Sequence, residues 1–260
     1  MNPGIDDMVR PHEIEWNDGQ VSRLWNYYAQ TPPYSDLYFA RRFGHLLLAQ
    51  ARLPASVPLE VLDFGCGPGF MWDHIRALGA NWQYTGLDFS PDSVAAIDRR
   101  AKGQPGFRGA TLADDMPTAL PANGFDVLLL IEVVEHLRDE HLDGTLNEAA
   151  RLLKPGGVLV ISTPNEEDLA LSRKFCPSCG AIFHEWQHVR SWSAATLKDC
   201  LARYGFASVH QVTTDFEARG VDMASFIVKA RRLARRMLGL PVRQPHLLAV
   251  FQKRQGPVGG

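Results

Sequence analysis

Cysteine is scarce in this sequence, four residues in 260, too few to staple a chain of this length with disulfides. Cys66 and Cys200 read as ordinary buried thiols, while Cys176 and Cys179 form a Cys-x-x-Cys pair. An excess of charge is also missing. Lys plus Arg number 27 and Asp plus Glu 29, a formal net charge of -2, so nothing global points to nucleic acid as a partner. No apolar run approaches the roughly 20 residues of a membrane-spanning helix. The opening stretch MNPGIDDMVRPHEIEW has neither a basic region nor an apolar run of the secretory kind, so a cytoplasmic protein is expected. There is no internal repeat and no low-complexity tract. What remains is 45% hydrophobic residues against 22% charged, enough to bury a sizeable core.

Two patterns divide the chain. Residues 1–52 hold short aromatic-rich segments around Pro32 and Pro33, with helical spacing over 20–29 and 38–51, and are expected to form a helical cap. From 53 to 260 short apolar runs alternate with helices. Strands are expected at 59–64, 82–89, 107–112, 125–131, 158–162, 206–214 and 247–253. Helices are expected at 70–78, 91–101, 142–153 and 193–204, the second opened by Ser90 and Pro91. Strand alternating with helix implies a doubly wound parallel α/β sheet, Rossmann-like in class. Two insertions stand out: 170–190 with the Cys-x-x-Cys pair, and 217–240 with Lys229, Arg231, Arg232, Arg235 and Arg236.

The first strand runs into Asp63-Phe64-Gly65-Cys66-Gly67-Pro68-Gly69. Glycines at such a strand end let the backbone turn sharply and approach a ligand. The dinucleotide fingerprint would need a third glycine at position 70, which is Phe70, so a pyrophosphate is not the expected ligand. Asp88, about 20 positions beyond the glycines, sits where a carboxylate accepts hydrogen bonds from two ribose hydroxyls. Asp114, Asp115 and Met116 follow the third strand, where they suit an adenine ring and its amino group or form a solvated turn.

The segments VLDFGCGPGF, YTGLDFS, FDVLLLIEVVEHL and RLLKPGGVLVISTPN resemble, in order, the signature motifs of class I S-adenosylmethionine-dependent methyltransferases. They cover roughly residues 58–165. The resemblance implies a seven-stranded sheet whose last strand inserts antiparallel, and S-adenosylmethionine as cofactor. It implies cofactor contacts at Asp63, Gly65, Cys66, Gly67, Gly69, Phe70, Asp88, Phe89, Ser90, Asp114, Asp115, Met116 and Ile131.

Glu132, Glu135 and His136 fall just past the fourth strand, at the functional edge. One reading makes Glu135 a helix cap and His136 a structural hydrogen bonder. The other adds His188, in HVRSWSAATL. Glu-x-x-Glu-His with that later histidine resembles the metal-dependent ubiquinone-pathway O-methyltransferases and small-RNA 2′-O-methyltransferases. Carried over, Glu132, Glu135, His136 and His188 would ligate Mg²⁺, Mn²⁺ or Zn²⁺, with Glu135, His136 and His188 catalytic. Cys176, Cys179, His184 and His188 form a competing set for structural Zn²⁺, or the cysteines simply occupy a turn. His184-Glu185-x-x-His188 also spells the zinc-protease motif, but no helix is expected there to carry it.

The expected activity is methyl transfer to a hydroxyl of a small acceptor such as a sugar, phenol or quinone precursor. Alternatives are N- or C-methylation with a histidine base, or a silent cofactor-binding partner subunit. An RNA acceptor is disfavoured for want of a broad basic surface. The aromatic-rich start suits a lid over the cofactor or plain core packing. The basic segment 229–236 suits either a solvated face or peripheral contact with an anionic membrane. Oligomeric state is not legible.

Overall fold

The alternation of apolar runs with amphipathic segments is realised as a parallel sheet clothed on both faces by helices. The computed structural model describes residues 9–220 and 222–255. The first eight residues of the expected cap, Val221 of the basic insertion and residues 256–260 therefore lie outside the described residues. In chain order the early elements are β1 (His12–Glu13), α1 (Asp18–Gln30), α2 (Phe39–Ala51), β2 (Leu59–Phe64) and α3 (Phe70–Ala77). Next come β3 (Trp82–Asp88), α4 (Pro91–Ala101), β4 (Phe107–Leu112), β5 (Phe125–Ile131) and α5 (Asp139–Leu152). Then follow β6 (Leu153–Pro164), β7 (Arg173–Phe175), β8 (Ala181–His184), α6 (Ala194–Ala202), β9 (Phe206–Thr214), α7 (Met223–Met237) and β10 (His246–Lys253).

Seven strands form one sheet in the order β4-β3-β2-β5-β6-β10-β9. Strand β10 runs antiparallel to both β6 and β9, and the other pairings are parallel. The expected late antiparallel strand is thus present. Strand order reverses between β2 and β5, which opens a crevice beyond their carboxyl ends where ligands of such sheets bind. β5 explains its own position: its run from Val127 to Leu130 is at most 2% exposed, buried by apolar layers on both faces. Each such side chain contributes about 1.5–3 kcal/mol by leaving water.

Helix starts follow side-chain chemistry. Asn17 and Gln20 close a reciprocal capping box on α1, and Ser193 and Thr196 do the same for α6. Ser90 caps α4, with Pro91 in its first turn. One boundary differs from expectation. Lys154-Pro155-Gly156-Gly157 does not form a stop between helix and strand; β6 begins at Leu153, directly after α5, and runs through these residues with Gly156 at φ +77. A second, three-stranded sheet, β1-β8-β7, is not signalled by the sequence. In it the cap, otherwise helical, lends His12–Glu13 as a strand parallel to β8, so cap and Cys-x-x-Cys insertion form one unit.

Candidate functional site at the carboxyl edge of the sheet

The glycine turn is held by backbone hydrogen bonds. Gly65 N–H and Cys66 N–H both donate to Leu87 O, at 2.7 and 3.1 Å. Gly65, Gly67 and Gly69 all have positive φ, a region other residues enter at a cost. Crowding adds a second requirement at two of them. A Cβ on Gly65 would stand 2.6 Å from Val133 Cγ2, and one on Gly69 only 2.3 Å from Ile97 Cδ1. Gly67 differs: its Cβ would meet nothing nearer than Tyr38 Cε1 at 4.0 Å, so the space before it is open.

Asp88 ends β3 beside this turn. Its Oδ2 accepts from Gly67 N–H at 2.7 Å and its Oδ1 from Ser90 N–H at 2.8 Å. Burial raises its carboxyl pKa to about 6, against the pull of those two hydrogen bonds. Asp63 is buried one strand away, accepts from Tyr84 Oη at 2.6 Å, and is pushed up to about 7, chiefly by burial. Cys66 and Ile131 are buried, and Phe70 packs against Tyr38 with ring centroids 5.4 Å apart. Phe89, Asp114, Asp115 and Met116 lie exposed along the same edge.

Helix α1 closes over the turn. Asn26 Oδ1 accepts from Ser90 Oγ at 3.0 Å, and Asn26 Nδ2 donates to Asp92 at 2.9 Å. Trp25 packs edge-on to Tyr38 and to His136, with centroids 5.9 and 4.8 Å apart. Tyr28 Oη donates to Glu185 O, and its ring stacks on Tyr34 at 4.4 Å.

The acidic and imidazole groups gather on the other side of the crevice. Beyond β5, Glu132 adopts φ +53, a strained value for a side-chain-bearing residue, and its Oε1 accepts from Ser162 Oγ at 2.7 Å. Glu135 accepts from Thr163 Oγ1 at 3.0 Å through Oε2, while its buried Oε1 has no hydrogen-bond partner. No lysine or arginine forms an ion pair with either carboxyl among the described residues; only His136 Nε2 stands near, 3.7 Å from Glu135 Oε1. Burial pushes Glu132 up to about 7 and Glu135 well up, and mutual repulsion raises Glu135 further. Burial and the neighbouring His188 lower His136 well below the ordinary imidazole range.

Gln187 locks the two loops of this cluster together. It is fully buried with φ +58, donates through Nε2 to His136 O at 2.9 Å and accepts from Trp25 Nε1 at 3.2 Å. His188 is thereby brought over His136, ring centroids 4.8 Å apart. Ligand atoms of Glu135, His136 and His188 fall within 4.8 Å of one another; Glu132, the fourth residue expected there, is not part of that group. A second such group joins Glu167, His184 and His188.

Glu167 escaped the sequence reading. Its Oε2 lies 2.5 Å from His188 Nδ1 and its Oε1 3.4 Å from His184 Nε2. Burial would raise its pKa, but the two histidines override this and bring it down to about 2. A charged Glu167 keeps the proton on His188 Nδ1 and leaves Nε2 with a free lone pair. His184 Nδ1 accepts from the backbone N–H groups of Trp186 and His188, at 3.3 and 3.2 Å, so the His184 proton sits on Nε2, facing Glu167. His184 thus braces the 184–188 loop through Nδ1, while its buried Nε2 has no hydrogen-bond partner. The only signal in sequence was the glutamate pair just after β6, which has no motif of its own.

The cysteines do not join either group. Cys176 and Cys179 lie in the turn between β7 and β8, half-buried and exposed respectively, and neither metal-capable group among the described residues contains a cysteine. The structure therefore does not assemble the alternative set Cys176, Cys179, His184 and His188. His184 ends a strand and His188 lies in a loop, so the protease-like spacing has no helix either.

A family model described as a methyltransferase domain matches residues 36–211. The chain belongs to the class I S-adenosylmethionine-dependent methyltransferases. It is 39% identical over 111 residues to a ubiquinone biosynthesis O-methyltransferase of Bradyrhizobium sp., covering 41% of this chain and 40% of that one. It is 31% identical over 169 residues to a "probable S-adenosylmethionine-dependent methyltransferase" of Mycolicibacterium smegmatis, covering 65% and 59%. The matches span between 39 and 65% of the length of such curated relatives. Among solved structures, a chain from the complex of the Haloferax volcanii Trm112 methyltransferase activator with a methyltransferase superposes with a TM-score of 0.62 at 21% identity, covering 89% of this chain and 98% of that one.

The methyltransferase cofactor fits the turn. The space in front of Gly67 is one that a Cβ would begin to fill, and the Asp88 carboxylate retains lone pairs beyond its two backbone bonds. The donor set opposite fits a divalent ion on its own chemistry: buried carboxylate and imidazole atoms, among them the partnerless Glu135 Oε1 and His136 Nδ1.

Proposed function

We propose that this methyltransferase methylates a hydroxyl of a small-molecule acceptor, with a divalent ion held by Glu132, Glu135, His136 and His188. One observation carries the reading: the buried Glu135 carboxyl, with Glu132 three residues before it, and the His136 and His188 imidazoles gather beside the cofactor crevice with no lysine or arginine paired to either carboxyl among the described residues. Two such carboxyls ionise together only against a cation. S-adenosylmethionine supplies an electrophilic methyl, and Mg²⁺, Mn²⁺ or Zn²⁺ supplies Lewis acidity toward an acceptor oxygen.

The chain's own residues then have defined work. The glycine turn and Asp88 hold the nucleoside. Glu167 fixes the tautomer of His188 and points its Nε2 away from the carboxylate. Trp25 of α1 and Tyr38 at the start of α2 roof the crevice and exclude water from it, which strengthens every charge interaction beneath them. The cofactor contacts implied for Cys66, Phe70, Phe89, Ser90, Asp114, Asp115, Met116 and Ile131 belong to the same reading, and their position along one edge supports them.

A second reading is favoured by the Glu167–His188 pair itself. A carboxylate holding Nδ1–H leaves Nε2 able to take a proton, so His188 can serve as a metal-free general base for oxygen or nitrogen. Removal of metal separates the two. Chelator-treated protein, verified metal-free by elemental analysis, should lose transfer to vicinal diols or catechols and regain it with Mg²⁺, Mn²⁺ or Zn²⁺. Full activity in the stripped protein would overturn the metal and leave the His188 base. Asp88→Asn should weaken binding of S-adenosylhomocysteine by about ten- to a hundredfold, since it removes the charge and replaces one of the two acceptor oxygens with a donor that faces a backbone N–H.

A further inference from the structure

Helix α7 is docked the wrong way round for a helix of a water-soluble surface. Its apolar residues Met223, Phe226, Ile227, Leu233 and Met237 fall along one stripe of the helix, yet all are 45 to 80% exposed. Leu238 and Leu240 extend the exposed apolar surface beyond the helix end. The only buried residue of α7 is Ser225. What attaches the helix to the body is its polar face. Arg232 Nη1 donates to Asp215 Oδ2 at 2.7 Å and to Arg243 O at 2.8 Å, and Nη2 donates to Gln244 Oε1 at 3.0 Å. Arg235 Nε donates to Pro241 O at 2.9 Å.

An amphipathic helix normally gives its apolar stripe to the core, and a contiguous exposed stripe marks a surface that something else covers. Charge says what. Residues 223–240 contain Lys229, Arg231, Arg232, Arg235 and Arg236 and not one acidic residue. Only Arg232 forms an ion pair among the described residues. At 100° per residue, Lys229 and Arg231 flank the stripe on its two sides. An apolar stripe bordered by cations that form no ion pair, Lys229 donating only to Gly220 O at 2.8 Å, matches the boundary between acyl chains and anionic headgroups. A second copy of the chain fits poorly, because a twofold contact sets the same patch against itself and faces these cations with one another. No helix of the described residues is long and apolar enough to cross a membrane, so the contact is with one surface of a bilayer.

We infer that α7 is an interfacial anchor that lays its Met223–Met237 stripe into an anionic lipid surface. The anchor springs from the loop between β9 and β10. The carboxyl end of β9, parallel to β6 across β10, opens on the edge that carries the candidate site. Lipid contact thus holds that edge toward the membrane.

Co-sedimentation of the full chain with phosphatidylcholine vesicles, with and without phosphatidylglycerol, tests this directly. Binding is expected only with phosphatidylglycerol, and it should weaken as salt is added. The double substitution Arg231→Gln, Arg236→Gln should weaken it by roughly thirtyfold, about fivefold for each charge. Phe226→Asp with Leu233→Asp should abolish it. Because these side chains are exposed, the melting temperature should not change; if that pair fails to fold, the milder Phe226→Ser and Met237→Ser serve with the same expectation. Equal binding to both vesicle types, absence of binding by the wild type, or unchanged binding of the apolar-face variants would overturn the anchor. So would a wild-type dimer that the same variants convert to monomer, since the stripe would then be covered by a second copy.

Discussion

The two sides of the crevice are built on different principles. The cofactor side is made of backbone: three glycines with positive φ and one carboxylate, all between residues 63 and 90 on adjacent strands. The acceptor side is made of side chains from three separate stretches, 132–136, 167 and 184–188, pinned by Gln187 and roofed by α1. The first is rigid because sterics leave it no choice. The second is held by hydrogen bonds among buried polar groups, several left with partnerless atoms, and polar sites of that kind are kept for chemistry rather than stability.

The sharpest way to break this comparison is to damage one side and measure the other. Glu135→Gln, or His188→Asn, should lower the rate of methyl transfer by about a thousandfold. Affinity for S-adenosylhomocysteine, measured by calorimetry, should stay within about twofold, because neither residue touches the glycine turn. Coupled losses of both would dissolve the division.

Within the cofactor side the glycines should separate in their turn. Gly69→Ala should cost about 3 kcal/mol in denaturant unfolding, from the clash with Ile97 added to positive φ. Gly67→Ala should cost only about 1 kcal/mol, since open space faces it, yet impair cofactor binding more. Equal costs would mean that Gly67 is also a packing glycine.

On the acceptor side, Glu167→Gln should reduce metal affinity by about tenfold through loss of its hold on His188. Titration of apo protein with Mn²⁺, followed by electron paramagnetic resonance, reads this without turnover. Affinity equal to the wild type would make Glu167 a bystander.

A further expected effect, read on the whole fold, is on pH dependence. Asp63 and Asp88 would ionise near 3.8 when unfolded but hold their protons to about 7 and about 6 in the ligand-free fold. The folded state binds more protons in that window, so its stability should fall as pH rises from about 4 to about 7 and then level off. A melting temperature that climbs across the window would reverse the sign and place the burial cost elsewhere.

Legibility in the sequence follows the same division. Gly65, Gly67, Gly69 and Asp88 could be read because contiguous residues at a strand end determine the turn locally. Glu132, Glu135, His136 and His188 are visible as candidates in the sequence, but only a resemblance links 188 to the others, about 50 residues away. Glu167 could not be found: its role depends on the isolated bridge of Asn165 to Trp192, which carries the loop across to His188. The sheet β1-β8-β7 was hidden for a similar reason, since a two-residue strand near the start pairs with residues 181–182. The outward-facing stripe of α7 was equally out of reach. Spacing tells that a helix has an apolar face, but not which way the ion pair of Arg232 with Asp215 will turn it.

The most direct measurement is a calorimetric titration of S-adenosylhomocysteine into chelator-stripped wild-type protein, run beside the metal-loaded form. A nucleoside pocket built from backbone and Asp88 alone should take up one equivalent per chain with the same affinity in both. No heat in either, or heat only when metal is present, would contradict it.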